Sequence, residues 1–286
     1  MKFLVLGANG MAGHMIANYI RQAGHDVFCG TRKPFKIFNN IIIDYQNTAL
    51  LKDVLLSGGF DYIINCVGIL NQAADECKSQ AVYINSFLPH VIADTLKNSA
   101  ARLIHLSTDC VFSGVCGNYT ETHFPDGQTF YDRTKALGEV VDNKNLTFRN
   151  SIIGPDINAH GIGLFNWFMR QKQAVNGYSK TLWNGVTTVV LAKAVLAAAE
   201  SKLTGLYHLT NNKPISKYEL LKLFSKHFRG GAVCVNKVDG LVLNKTLKCT
   251  RSDFAFSVPG YEEMVIQMKQ WVQDNRGLYP QYEGIT

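Results

Sequence analysis

A chain of 286 residues, 47% hydrophobic and 18% charged, has the size and make-up of a globular protein with one large domain or a domain plus a smaller lobe. Its net charge of +7 is spread along the chain with no nucleic-acid motif beside it, so small anionic ligands are the expected partners and nucleic acid is not. The greasiest helical stretch, Val189 to Ala199, is short and broken by Lys193, and the N-terminus lacks a secretory pattern, so a cytoplasmic protein without a membrane partner is expected.

The first half alternates strand and helix. Lys2–Leu6 is a short apolar strand, Met11–Ala23 a helix stopping at Gly24, Asp26–Gly30 a second strand and Asn40–Asp44 a third. Thr48–Leu56 is a helix, Tyr62–Cys66 a strand, Glu76–Lys97 a long helix, and Arg102–Ser107 a fifth strand. Tyr131–Val141 and Leu146–Arg149 add a helix and a sixth strand. Short β-branched runs separated by helices predict an α/β fold, a Rossmann-type doubly wound parallel sheet.

The second half is less regular. A loop over Gly154–Gly163 leads to helices at Leu164–Gln173 and Thr188–Ser201 and a strand at Leu206–Leu209. Ser216 and Glu219 form a capping box for a helix through Phe228, and Glu262–Asn275 is a terminal helix. The expected division is a dinucleotide-binding domain over residues 1–150, with a segment near 186–210 returning to it. A smaller substrate-binding lobe takes 151–185 and 211–286.

Gly7-Ala8-Asn9-Gly10-Met11-Ala12-Gly13 follows the first strand and opens the first helix, the context a dinucleotide fingerprint requires. Gly7 permits the tight turn, Gly10 lets a pyrophosphate approach the backbone, and Gly13 lets the helix pack close. Asn9 and Met11 flank the approach, and the helix N-terminus offers N–H groups to phosphate. The second strand ends without the acidic residue that binds a ribose 2′-hydroxyl. Arg32 and Lys33 stand there instead and suit a 2′-phosphate, so NADPH is the expected cofactor, with NADH the alternative. Asp44 is placed to meet the adenine amino group, and Cys66-Val67-Gly68 to lie beside the cofactor at the switch point.

Tyr131 and Lys135 stand four apart, one turn from each other on one helix face. A lysine there favours the phenolate and makes the tyrosine a proton donor or acceptor near neutral pH. The seven cysteines are scattered without a Cys-x-x-Cys pair, which predicts neither a zinc site nor a disulfide framework.

With the glycine turn, Asn65-Cys66-Val67-Gly68, Asn85, Ser107-Thr108-Asp109 and Tyr131-x-x-x-Lys135 in order, the chain resembles an extended short-chain dehydrogenase/reductase. Ser107 to Phe112, Ile84 to Pro89, Phe148-Arg149-Asn150-Ser151 and Gly205 to Leu209 resemble the dTDP-4-dehydrorhamnose reductase branch. The resemblance implies reduction of the C4 ketone of a nucleotide-linked 4-keto-6-deoxy sugar, in making deoxysugar nucleotides for surface polysaccharide. It gives Tyr131 the proton transfer, Thr108 a hydrogen bond to the carbonyl oxygen, and Lys135 the nicotinamide ribose and the tuning of Tyr131. Asn85 and Ser107 join the cofactor contacts, and Asn150 the substrate contacts.

Sugar-nucleotide 4,6-dehydratases carry Thr-Asp-Glu where this chain has Thr108-Asp109-Cys110, so a simple reductase is expected. The reductase branch usually has a tyrosine at Cys110, a departure that leaves pocket details open. Trp183 and Asn184 correspond to a pocket-lining loop, with plain packing an equal alternative. Lys248 and Arg251 resemble a diphosphate-contacting segment, with a surface role the alternative. Two other readings stay open: a reductase or epimerase of a UDP-linked 2-acetamido-2,6-dideoxy-hexos-4-ulose, and a non-catalytic NADP-binding regulatory subunit. A homodimer is compatible with either.

Overall fold

Apolar strands and amphipathic helices alternate along the chain, and the computed structural model, which describes residues 1–283, packs them in layers. The N-terminal half runs β1 (Lys2–Leu6), α1 (Met11–Gln22), β2 (Asp26–Thr31), β3 (Asn40–Ile42), α2 (Thr48–Ser57) and β4 (Tyr62–Asn65). It continues with α3 (Asn71–Glu76), α4 (Lys78–Ala81), a π turn (Val82–Phe87), α5 (Leu88–Leu96), β5 (Arg102–Leu106), α6 (Phe130–Leu137) and β6 (Leu146–Arg149). Then come β7 (Ile152–Ile153), α7 (Leu164–Met169), β8 (Val175–Tyr178), β9 (Thr181–Trp183), β10 (Val186–Thr187) and α8 (Thr188–Ser201). The last elements are β11 (Gly205–His208), β12 (Ile215–Ser216), α9 (Lys217–Arg229), β13 (Val235–Val238), β14 (Leu243–Asn244) and α10 (Tyr261–Asp274).

Seven strands form the main sheet in the order β11-β6-β5-β4-β1-β2-β3. Every neighbouring pair is parallel. The order reverses between β1 and β4, which opens a crevice at their carboxyl ends. The predicted doubly wound sheet is therefore what forms, and β11 returns to it from the second half. Smaller sheets, β10-β7, β12-β9-β14 and β13-β8, build the lobe. No helix among the described residues is long and apolar enough to cross a membrane.

The helix predicted over Glu76–Lys97 is not continuous. Cys77 breaks it at φ −123° and ψ 61°, and residues 82–87 wind as a π turn. Pro89 has no N–H to offer the Asn85 carbonyl, so an α ladder cannot run through this point. α6 ends at Leu137 rather than Val141, because Gly138 lies against the Asn85 carbonyl: a Cβ there would come 1.8 Å from that oxygen. α7 stops at Met169 rather than Gln173, where Arg229 Nη1 caps the Met169 and Gln171 carbonyls at 2.9 and 2.8 Å.

Candidate active site

The glycine turn closes the crevice from below. Gly7 sits at φ +76°, and its N–H donates to the Gly30 carbonyl at 2.9 Å and the Tyr45 hydroxyl at 3.0 Å. A Cβ on Gly13 would meet the Gly7 oxygen at 2.2 Å, so only glycine lets α1 start this close to β1. The first turn of α1 carries no acidic side chain and no side-chain cap, which leaves its N–H groups for an anion.

Two cavities flank the turn. One, of about 140 Å³, is lined by Gly7, Asn9, Gly10, Arg32, Tyr45, Cys66, Val67 and Gly68. Lys33 and Asp44 lie outside both cavities. Asp44 is exposed and accepts the Gln46 N–H at 3.0 Å. Tyr45, next in sequence, turns inward and donates to the Gly30 carbonyl at 2.9 Å.

The second cavity, of about 370 Å³, is lined by Met11, Cys66, Val67, Gly68, Ser107, Thr108, Asp109, Cys110, Tyr131, Lys135 and Asn150. Thr108 caps a short 3-10 turn: its Oγ1 accepts the Cys110 N–H at 3.1 Å and donates to Asp109 Oδ1 at 3.2 Å. Tyr131 and Lys135 reach the cavity from α6, whose start is set by a reciprocal capping box between Thr129 and Asp132. Burial pushes the Tyr131 phenol well above its ordinary range, while the Thr108 hydroxyl pulls the other way. Burial pushes Lys135 down to about 8, opposed by the Glu139 carboxylate.

Lys135 Nζ donates to the Leu106 carbonyl at 2.8 Å and lies 3.5 Å from His105 Nε2. The second contact is not a hydrogen bond. Asn65 Oδ1 accepts the Val67 N–H, so Asn65 Nδ2 donates to His105 Nδ1 at 3.2 Å. Burial keeps His105 neutral, so its hydrogen sits on Nε2 and faces another donor. One Lys135 N–H is thus bound to backbone and the others are left for the cavity.

Other predicted residues serve the site from behind. Ser107 Oγ donates to Glu139 Oε1 at 2.7 Å, and Glu139 holds the buried Arg149 by two bonds of 2.7 and 2.6 Å. Asn85, fully buried, exchanges two 2.8 Å bonds with the Ile69 backbone and donates to Thr134 Oγ1 at 3.1 Å. It fixes the segment after Gly68 rather than lining either cavity. Asn150 lines the reacting cavity, and its buried Nδ2 has no hydrogen-bond partner in the protein. An unpaired buried amide beside a cavity calls for an acceptor from a ligand.

The residues predicted in the lobe do not converge there. Trp183 is buried, packed on Tyr261 with ring centroids 5.9 Å apart. Asn184 closes on the Leu247 backbone, donating to its oxygen at 2.6 Å and accepting its N–H at 3.0 Å. Lys248 is exposed. Arg251 bonds Asp253 and the Thr204 and Leu206 carbonyls, at the outer edge of the sheet beyond β11.

Sequence reasoning passed over Lys217. Its Nζ lies 5.1 Å from the centre of the Trp183 ring, burial pushes it down to about 8, and Asp109 is the group that most opposes the shift. Burial pushes Asp109 up, with Lys217 the strongest pull the other way. The signal was present: a lysine in the first turn after a capping box stands against the helix dipole.

The turn, the anion-ready helix end and Arg32 fit a phosphorylated dinucleotide. Thr108, Tyr131 and Lys135 around one cavity can support proton transfer to a carbonyl oxygen. No cluster of His, Cys, Asp and Glu among the described residues could hold a metal ion.

Residues 1–246 match the family model described as RmlD substrate binding domain. Over 76% of this chain, and 76% of the relative, it is 28% identical to the spore coat polysaccharide biosynthesis protein SpsK of Bacillus subtilis. It is 26% identical to a dTDP-4-dehydrorhamnose reductase of Mycobacterium tuberculosis over 76% of this chain and 72% of that one. The solved dTDP-4-dehydrorhamnose reductase of Bacillus anthracis, in complex with NADP, shares the fold at a TM-score of 0.79 and 20% identity, covering 94% of this chain and 99% of that one.

Proposed function

Since this chain belongs to the RmlD substrate binding domain family, we propose that it is an NADPH-dependent oxidoreductase reducing the C4 ketone of a nucleotide-linked 4-keto-6-deoxy sugar, in deoxysugar nucleotide synthesis for a polysaccharide. The observation that carries the proposal is the single cavity shared by the glycine turn, Thr108, Tyr131 and Lys135. Relatives named as a dTDP-4-dehydrorhamnose reductase and as a polysaccharide biosynthesis protein support it.

The bound nicotinamide supplies hydride. The protein's own residues do the rest. Gly7, Gly10 and the α1 N-terminus hold the pyrophosphate, Arg32 the 2′-phosphate, and Lys135 the ribose. Thr108 holds the substrate carbonyl oxygen, and Tyr131 gives it a proton as negative charge develops there. The Tyr131 phenol keeps its proton through neutral pH, as a donor in a reduction must. Asn150 Nδ2 offers the sugar a further hydrogen bond. Cys110 stands where a dehydratase would need a carboxylate, which confines the chemistry to hydride and proton transfer.

The test is incubation of the protein with NADPH and a panel of dTDP- and UDP-linked 4-keto-6-deoxy sugars, followed by product identification. Oxidation of NADPH with a C4 alcohol as product is expected. Cofactor binding with no turnover on any member of the panel would overturn the assignment.

A further inference from the structure

The reaction as proposed makes no use of a buried set of side chains that joins the C-terminal turn to the glycine turn. After α10 the chain makes two 3-10 turns, Arg276–Leu278 and Pro280–Tyr282, with Tyr279 between them. Tyr279 is 1% exposed. Its hydroxyl lies 2.9 Å from Trp271 Nε1 and 2.8 Å from His14 Nε2. His14, on the first turns of α1 and fully buried, puts its Nδ1 2.9 Å from the Gly10 carbonyl oxygen.

The chemistry of the end groups sets the direction of every bond. An indole N–H only donates and a carbonyl oxygen only accepts. Trp271 Nε1–H therefore donates to the Tyr279 oxygen. His14 carries its hydrogen on Nδ1 and gives it to Gly10. Its Nε2 is left as an acceptor, and the Tyr279 hydroxyl fills it. Burial pushes His14 down to about 4, which keeps the imidazole in this neutral form.

Gly10 is the N-cap of α1, and it lines both cavities. Its carbonyl also accepts the His14 backbone N–H at 3.0 Å. Two bonds thus tie this carbonyl back along the helix, away from the side on which a pyrophosphate would arrive.

We propose that His14 is a positioning residue for the dinucleotide: through the chain Trp271–Tyr279–His14–Gly10, the docked C-terminal turn holds the glycine turn in its phosphate-accepting shape. The proposal rests on the reading that residues 7–13 receive a dinucleotide. Removing the Tyr279 hydroxyl leaves His14 Nε2 and Trp271 Nε1 unpaired and frees the turn, which must then be ordered at the moment of binding. The loss falls on affinity and not on the chemical step. Linkage makes the effect reciprocal, so a bound dinucleotide holds the C-terminal turn in place.

The experiment compares the wild type with Tyr279→Phe, His14→Asn and the double variant, with Tyr282→Phe as control. Tyr282 lies in the same terminal segment, but its hydroxyl donates to Asn166 and accepts the Asp156 N–H, far from Gly10 in the chain of bonds. NADPH affinity is read by fluorescence titration, turnover at saturating cofactor, and amide exchange over residues 276–282 with and without NADPH. Tyr279→Phe and His14→Asn are expected to weaken NADPH by about 5- to 50-fold, with the double variant no weaker than the worse single one. Saturated turnover stays within about twofold. NADPH slows exchange of the terminal turn in the wild type but not in Tyr279→Phe. The proposal is overturned if Tyr279→Phe binds NADPH as the wild type does, or if Tyr282→Phe weakens it equally. A wild type that binds no dinucleotide overturns both this proposal and the functional reading beneath it.

Discussion

Burial moves Tyr131 and Lys135 in opposite directions, and both shifts bear on activity. The sequence argument had Lys135 favouring the phenolate, yet in the structure burial outweighs other influences on Tyr131 and keeps the phenol. Tyr131→Phe should lower turnover by about 10²- to 10⁴-fold while NADPH affinity, measured by fluorescence titration, stays nearly unchanged. Lys135 titrates near 8, so its charged form dominates below that pH and is lost above it. The kcat/KM for ketone reduction should therefore be level on the neutral side and fall above pH about 8. Lys217 titrates in the same range, and a pH profile of Lys217→Met separates the two: the alkaline limb stays if Lys135 sets it. At the far end of the cofactor site, Arg32→Ala should weaken NADPH by about tenfold or more and leave NADH nearly unaffected, as two titrations would show. Equal losses would remove the 2′-phosphate from the account.

Elements show what could be read ahead of the structure and what could not. β1, the glycine turn and α1 were legible because a strand period, three glycines and a helix period follow one another with nothing competing. The Thr129–Asp132 capping box fixes where α6 begins, and with it the reach of Tyr131 and Lys135. Thr129→Ala should cost about 1 kcal/mol of unfolding free energy in a urea titration. The break before α5 was also written in the chain, since Pro89 removes the donor that Asn85 needs, but helical periodicity on both sides hid it. The lobe was not legible for a different reason. An asparagine that brackets a backbone, as Asn184 does at Leu247, looks in sequence like one that binds a hydroxyl. Only the partner across 63 residues tells them apart.

At the scale of the molecule the two halves share one core. The main apolar cluster contains Phe3 and Val5 of the sheet, Val190 and Val195 of α8, and Phe165, Phe224 and Tyr282 of the lobe. A fold whose halves share a core should unfold in one cooperative step, despite the division suggested by sequence. Calorimetry should show a single transition. Phe224→Ala, which empties a fully buried site in the lobe, should move that whole transition down by about 3–5 kcal/mol rather than split it. Two resolved transitions would mean that the lobe folds by itself.

The π turn at residues 82–87 has a consequence for how this chain tolerates insertion and deletion. A π turn takes one residue more than an α turn needs, so it sets the phase of everything after it. Losing a single residue there would rotate α5 by about 100° relative to the segment before it. Leu88, Ile92 and Leu96, all fully buried, would swing off the sheet while the exposed His90 swung toward it. Shortening the loop between Gly114 and Gly117 by one residue would disturb no such phase. Codon-by-codon deletion scanning should therefore find the stretch from Val82 to Phe87 intolerant at every position, including those whose side chains face solvent.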